Sequence, residues 1–222
     1  MRRISSRGAC ISVGLMICKT KVLMICNSYG IDEIQRFALI FRHFYAIICL
    51  GGDDMKFDIR LATLDDAKYC ANIHSESWNF AYSDTVSKEI IDKYNVRWPM
   101  IWNKMLSNNI NSHYVITLDD VIIGFLTISV ARDNDLKDSF YELVGLYLNP
   151  EYVAKGYGKQ AMNWIKKEIK SRGYDKISLW VLEENNRARR FYEKSGFESD
   201  GETKPSGLAD TQEVRYICKC NS

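Results

Sequence analysis

The chain has 222 residues, 46% hydrophobic and 26% charged, the balance of a globular protein rather than a disordered or fibrous one. A formal charge of +2 gives no global attraction to nucleic acid. Residues 1–50 hold seven Lys/Arg against Asp32 and Glu33, which leaves a mildly acidic remainder, as suits a cytoplasmic enzyme better than a polyanion binder.

The N-terminal stretch is basic and cysteine-rich and keeps no steady period. Met1-Arg2-Arg3 followed by Ala9–Cys18 is weakly signal-like but has no clear cleavage site. Phe37–Leu50 is apolar, yet Arg42 and His43 interrupt it, and it is shorter than the roughly 20 residues needed to cross a membrane. No membrane role is expected. The seven cysteines are odd in number and show no C-x-x-C spacing, so reduced thiols and no metal site are expected. Gly51-Gly52-Asp53 can be encoded as GGA-GGU-GAU, which resembles a bacterial ribosome-binding site just before Met55. Residues 1–54 are therefore expected to be an N-terminal extension upstream of a natural start at Met55. The alternative is a genuine extension with a helix over Ile31–Leu50. Residues 55–222 form the expected domain.

From Met55 the pattern is regular. Lys56–Ala62 alternates Phe57, Ile59 and Leu61 and predicts a strand. Thr63 with Asp66 predicts a helix start, and Ala67, Cys70, Ile73, His74 and Trp78 follow at helical spacing. Further helices are predicted over Val86–Tyr94 and from Pro99 to Leu106. His113–Leu118, Asp119-Asp120 and Val121–Val130 predict strand, turn, strand. Ala131–Ser139 is a polar loop, and Phe140–Leu148 a strand ending at Asn149-Pro150. Gly158–Arg172 predicts an amphipathic helix with Gly173 after its end. Lys176–Leu182 is a strand. Asn185 or Asn186 caps a short helix to Lys194, and Gln212–Cys218 is the last strand. This order predicts an α/β (α+β) domain with a largely antiparallel sheet.

The turn before the Gly158 helix carries the first chemical signal. Glycines in Lys155-Gly156-Tyr157-Gly158-Lys159 let backbone N–H groups approach a ligand. A helix start adds unpaired N–H groups and partial positive charge, and Lys155 and Lys159 strengthen the preference for an anion. The stretch is neither a Walker loop nor G-x-G-x-x-G. On physics alone, an anion cradle and a plain tight turn fit it equally.

Two blocks carry a resemblance. Leu146-Tyr147-Leu148-Asn149-Pro150-Glu151-Tyr152-Val153-Ala154-Lys155-Gly156-Tyr157-Gly158 resembles the acetyl-CoA motif of the GNAT superfamily of N-acetyltransferases, Q/R-x-x-G-x-G/A after a strand. Asn185-Asn186-Arg187-Ala188-Arg189-Arg190-Phe191-Tyr192-Glu193-Lys194-Ser195-Gly196-Phe197 resembles its N-x-x-A-x-x-F-Y-x-x-x-G-F. Val153 stands where the motif has Gln or Arg. The resemblance implies a GNAT-like mixed, mostly antiparallel sheet flanked by helices, and acetyl-CoA as co-substrate. It implies backbone contacts to the pantetheine arm along Leu146, Tyr147 and Leu148. It places the pyrophosphate on Val153, Ala154, Lys155, Gly156, Tyr157, Gly158 and Lys159. It gives Asn185 a pantetheine contact and Tyr192 the proton for the leaving thiolate.

A phenol suits that last task because it stays protonated at neutral pH; packing of the last helix is the competing role for Tyr192. The acceptor amine must lose a proton; the resemblance implies a glutamate in the Phe140–Leu148 strand, Glu142, as the base, with His74 second and a surface glutamate as the alternative for Glu142. Trp78 and Tyr82 either line the acceptor side or belong to the core; Trp98 and Trp102 read as packing. The resemblance implies direct attack without an acyl-enzyme, and no cysteine lies in either block to suggest a covalent step. The acidic residues of Ala131–Ser139 would suit a cationic acceptor, with Lys204–Asp210 as a second acceptor loop. The expected acceptor is a small-molecule or peptide amine, the expected assembly a homodimer. A non-catalytic module that senses CoA is the second reading. An interaction protein docking through its basic N-terminal segment is the third.

Overall fold

The computed structural model describes residues 55–108, 111–137, 139–208 and 210–220; the expectations for residues 1–54 lie outside them. Strand β1 (Phe57–Leu61) leads through a short 3-10 turn into helices α1 (Ala67–Tyr82), α2 (Lys88–Asn95) and α3 (Trp98–Asn108). Strands β2 (Ser112–Leu118), β3 (Val121–Val130) and β4 (Tyr141–Leu148) follow. Then come α4 (Tyr157–Ser171), β5 (Lys176–Leu182), α5 (Asn186–Lys194), β6 (Glu198–Pro205) and β7 (Gln212–Lys219). Among the described residues no helix is long and apolar enough to cross a membrane.

The strands form one sheet in the order β1-β2-β3-β4-β5-β7-β6. Every pairing is antiparallel except β4 with β5. Successive side chains on a strand point to opposite faces, and two cores result. Tyr114, Ile116, Leu126 and Ile128 meet Ala161, Met162, Ile165 and Ile169 of α4 on one face. Val115 and Phe125 meet Cys70, Ile73, Trp98 and Trp102 of α1 and α3 on the other. Because β3 is covered on both sides, Val121–Val130 reads as a nearly continuous apolar run. The Asp119-Asp120 turn has both residues at positive φ (47° and 64°), the geometry a two-residue hairpin turn needs.

Several boundaries moved by one or two residues. The second helix starts at Lys88 rather than Val86, because Ser87 is extended and serves as its N-cap. The third starts at Trp98, ahead of Pro99. One strand had no sequence signal. Glu198–Pro205 has no apolar alternation and is exposed almost throughout, because it is an edge strand bonded only to β7. Its register shifts between Ser199 and Thr203, around Gly201 at φ 92°. Lys204 and Pro205, expected in a loop, are its last residues.

The entry to α1 is fixed by Asp66, which is buried. Both Arg60 guanidinium nitrogens donate to its carboxylate at 2.8 and 2.9 Å, and the Thr63 N–H and hydroxyl donate at 2.8 and 3.0 Å. Arg60 above all holds this carboxyl down at about 2 against the group's own burial. Unfolded, it titrates near 4. Its stabilisation is therefore present above pH ~4 and lost as pH falls towards 2. Arg60 is half exposed, so solvent screens part of the pair. Asp66→Asn is expected to cost ~1–2 kcal/mol at pH 7 in urea denaturation. The gap to wild type should close near pH 2.

The described cysteines Cys70, Cys218 and Cys220 are free and buried. Cys218 and Cys220 sit in the same core, as their spacing on one strand face predicts. Burial pushes the Cys70 thiol up to about 12, so it is not a nucleophile.

Candidate active site

The parallel pairing of β4 with β5 stops after Tyr141↔Ile177 and Glu142↔Ser178. β4 continues to Leu148, paired with β3 on both sides of a register shift at Val144, while its pairing with β5 ends. From Leu143 onward the β5-facing edge of β4 has no strand partner, and such backbone groups need one. Leu146 and Leu148 pack against the α4-side core. Tyr147 points to the opposite face, stacked on Phe125 at 5.0 Å. The Ser77 hydroxyl donates to the Leu148 carbonyl at 2.9 Å and ties α1 to this end of β4.

The chain then turns sharply. Asn149 Oδ1 accepts from the Glu151 N–H at 3.0 Å. Val153 closes this short turn and is partly buried. Ala154 adopts φ 62° and Gly156 φ 92°. A positive φ is natural for glycine and costs energy for alanine; such strain collects at ligand sites. Gly156 is the N-cap of α4, and no side chain caps the first turn. Its free N–H groups and partial positive charge therefore face solvent, with Lys155 and Lys159 exposed beside them. A Cβ on Gly158 would stand 3.3 Å from the Phe191 ring, so this glycine lets α5 close on the turn.

Asn185 caps α5, its Oδ1 accepting from the Ala188 N–H at 3.0 Å. Tyr192, one turn from the end of α5, is 9% exposed, its ring held by Phe191 and Phe197. Burial, with Tyr147 adding to it, pushes the Tyr192 phenol well above its ordinary range. The same cluster holds Tyr82 and Tyr147. Burial raises Tyr82, with Tyr147 and Tyr192 adding to it, and Asn185 stands close enough to offset part of the rise. The structure thus brings Tyr192, Asn185, Tyr147 and Tyr82 to one end of the β4–β5 opening. Trp78 meets Tyr82 edge-on at 5.5 Å, and its indole N–H is buried with no hydrogen-bond partner among the described residues. Trp98 and Trp102 are core residues, as expected.

Glu142 stands apart from that group. It lies where β4 and β5 are still paired and is 2% exposed. Both oxygens are engaged by Arg132: Nε and the backbone N–H donate to Oε2 at 2.9 and 3.2 Å, and a terminal nitrogen to Oε1 at 2.5 Å. His74 is also unsuited to proton transfer. Its ring stacks on Trp98 at 3.6 Å, Nδ1 accepts from the Trp102 indole at 3.3 Å, and burial lowers its pKa to about 3.

Nor are Asp133 and Asp135 of the Ala131–Ser139 loop free for a cationic acceptor. Arg215 binds Asp135 at 2.8 Å, Asp133 at 3.4 Å and Asp200 at 2.7 Å, and the Trp180 indole donates to Asp133 at 2.9 Å. These carboxylates latch the loop to β5, β6 and β7. One acid that sequence reasoning passed over, Glu213, is the second residue of β7, beside this network. Its signal was weak: a polar residue at the start of an alternating strand.

A parallel pair that opens, followed by an uncapped helix start with a buried phenol beside it, is the arrangement that the GNAT resemblance implies. The comparisons agree. Residues 68–197 match the acetyltransferase (GNAT) family, and the chain belongs to that family and is an acyltransferase. It is 27% identical over 150 residues to spermidine N(1)-acetyltransferase of Thermoplasma acidophilum, covering 64% of this chain and 89% of that one. It is 36% identical over 77 residues to the uncharacterized N-acetyltransferase YycN of Bacillus subtilis, covering 35% and 48%. Among solved structures it matches the PaiA N-acetyltransferase of Thermoplasma acidophilum in complex with coenzyme A. That match has a TM-score of 0.62 and 26% identity, over 74% of this chain and 99% of that one.

Proposed function

We propose that the protein transfers the acetyl group of acetyl-CoA to a primary amine by direct attack, with polyamines as the acceptor class. The observation that carries this is the convergence of the free β4 edge, the Ala154–Lys159 turn and the Tyr192 phenol around one opening. The residues fit acetyl-CoA. The unpaired edge at Leu146–Leu148 offers backbone partners to an amide-bearing arm. The uncapped first turn of α4, with Lys155 and Lys159, offers N–H groups and positive charge to a pyrophosphate. Neither depends on a polar side chain at position 153. Bound there, acetyl-CoA supplies an activated acetyl group as a thioester.

Tyr192 holds a proton at its phenol oxygen and delivers it to the departing sulfur. The burial that raises the phenol also raises a thiolate beside it, so the proton transfer remains matched. Trp78, Tyr82 and Tyr147 line the acceptor side, where aromatic faces attract alkylammonium groups. The spermidine acetyltransferase relative supports the polyamine class.

The test is CoA release with acetyl-CoA and a panel of spermidine, spermine, an aminoglycoside, free amino acids and a peptide amine. We expect the highest kcat/KM for a polyamine. CoA binding without turnover on any amine would replace this proposal with the sensing module.

A further inference from the structure

We infer that Glu213, rather than Glu142, is the carboxylate that takes the proton from the acceptor amine. The inference rests on the amine-acetyltransferase reading and adds its missing base.

The placement follows from strand register. Val214 and Tyr216 of β7 point into the α4-side core. Their neighbour Glu213 therefore points to the opposite face, the face on which Tyr147 meets α1. Glu213 pairs across the ladder with Leu182, the last residue of β5. The chain leaves β5 there for Asn185, held by the Glu183 N–H donating to the Gln212 carbonyl at 2.9 Å. Glu213 thus stands beside the C-terminal end of β5, the end beyond its pairing with β4. Burial raises the Tyr147 phenol's pKa, and the charge of Glu213 adds to it.

Its surroundings suit a base. The Glu213 side chain is 27% exposed, so a proton can reach solvent. The charged groups facing it are Lys204 of β6, at 3.7 Å, with Arg132 and Glu142 further off. Burial outweighs the two cations and leaves the carboxyl above its ordinary range. A base of raised pKa accepts a proton better than an ordinary carboxylate. Glu142, by contrast, has both oxygens committed to Arg132.

In the step, one N–H bond of the acceptor ammonium breaks and one O–H bond forms on Glu213. The electron pair stays on nitrogen, ready to form the amide bond. The proton then leaves from Glu213 to water.

The experiment compares wild type, Glu213→Gln and Glu142→Gln as full-length proteins. It records the pH profile of kcat/KM for the best amine and for hydroxylamine, a nucleophile already neutral at pH 7. It adds a 13C NMR titration of the glutamate carboxyls. For Glu213→Gln we expect a loss of about 10²-fold with the amine, disappearance of the acid limb, and a hydroxylamine rate within about twofold of wild type. The carboxyl signal lost in that variant should titrate above the ordinary glutamate range. An acid limb that survives in Glu213→Gln and vanishes in Glu142→Gln overturns the assignment, as does an equal loss with hydroxylamine. A wild type that acetylates no amine fails the underlying reading instead.

Discussion

Tyr192→Phe is expected to lower kcat by about 10²–10³-fold, with KM for acetyl-CoA and for the amine within about twofold of wild type. The substitution removes one oxygen and keeps the ring, whose contacts with Phe191 and Phe197 hold α5 in place. In the proposed role the missing group acts when charge develops on the departing sulfur, so the loss belongs in kcat rather than in binding. General acid catalysis contributes about 10²–10⁴-fold, or about 3–5 kcal/mol of barrier. Because burial keeps the wild-type phenol protonated well beyond neutrality, its own titration should not shape the profile below pH 9. Steady-state kinetics with thermal denaturation of both proteins decides the matter. Full activity in a folded Tyr192→Phe protein removes the acid assignment and leaves the phenol as packing.

What could be read from the sequence was what repeats or what punctuates. Val121–Val130 and Lys176–Leu182 were placed to the residue because apolar strands advertise themselves. The Lys155–Lys159 turn and an asparagine cap at Asn185 or Asn186 were legible because glycines and capping asparagines mark helix starts, and the structure selects Asn185. The edge strand Glu198–Pro205 was not, since its stability comes from backbone bonds to β7 and leaves no mark on side-chain choice. The positive φ of Ala154 was equally hidden, because alanine does not announce it. The surroundings of Glu142 were hidden for a third reason. A glutamate in β4 is visible in sequence, but its ion pair with Arg132 is set by where the loop folds back. Glu213 gains its position only when β7 inserts between β5 and β6, a long-range pairing no local pattern encodes.

Acid should unfold the protein from a pH well above the carboxylate range, with His74 as the main cause. Buried among Trp98, Trp102, Phe125 and Tyr147, this imidazole is held neutral down to about pH 3. Unfolded, it takes a proton near pH 6.5. Between those values the unfolded state binds the extra proton. Stability is therefore complete above pH ~6.5 and falls by about 1.4 kcal/mol for each pH unit below it. At pH 5 the loss reaches about 2 kcal/mol, a large fraction of a typical domain's stability. His113, lowered by burial and bonded to Thr127 Oγ1 at 2.9 Å, adds in the same direction. His74→Phe strands the Trp102 indole N–H and should cost about 1–3 kcal/mol at pH 7, yet it should flatten the decline between pH 6.5 and 5. Urea titrations of both proteins at pH 7, 6 and 5 measure this, and an equal decline in the variant would assign the acid sensitivity elsewhere. The same measurement separates two acid effects on activity. Protonation of Glu213 lowers kcat/KM reversibly in a folded enzyme, whereas protonation at His74 removes folded enzyme. A limb that persists in short assays under stabilising acetyl-CoA therefore belongs to the base.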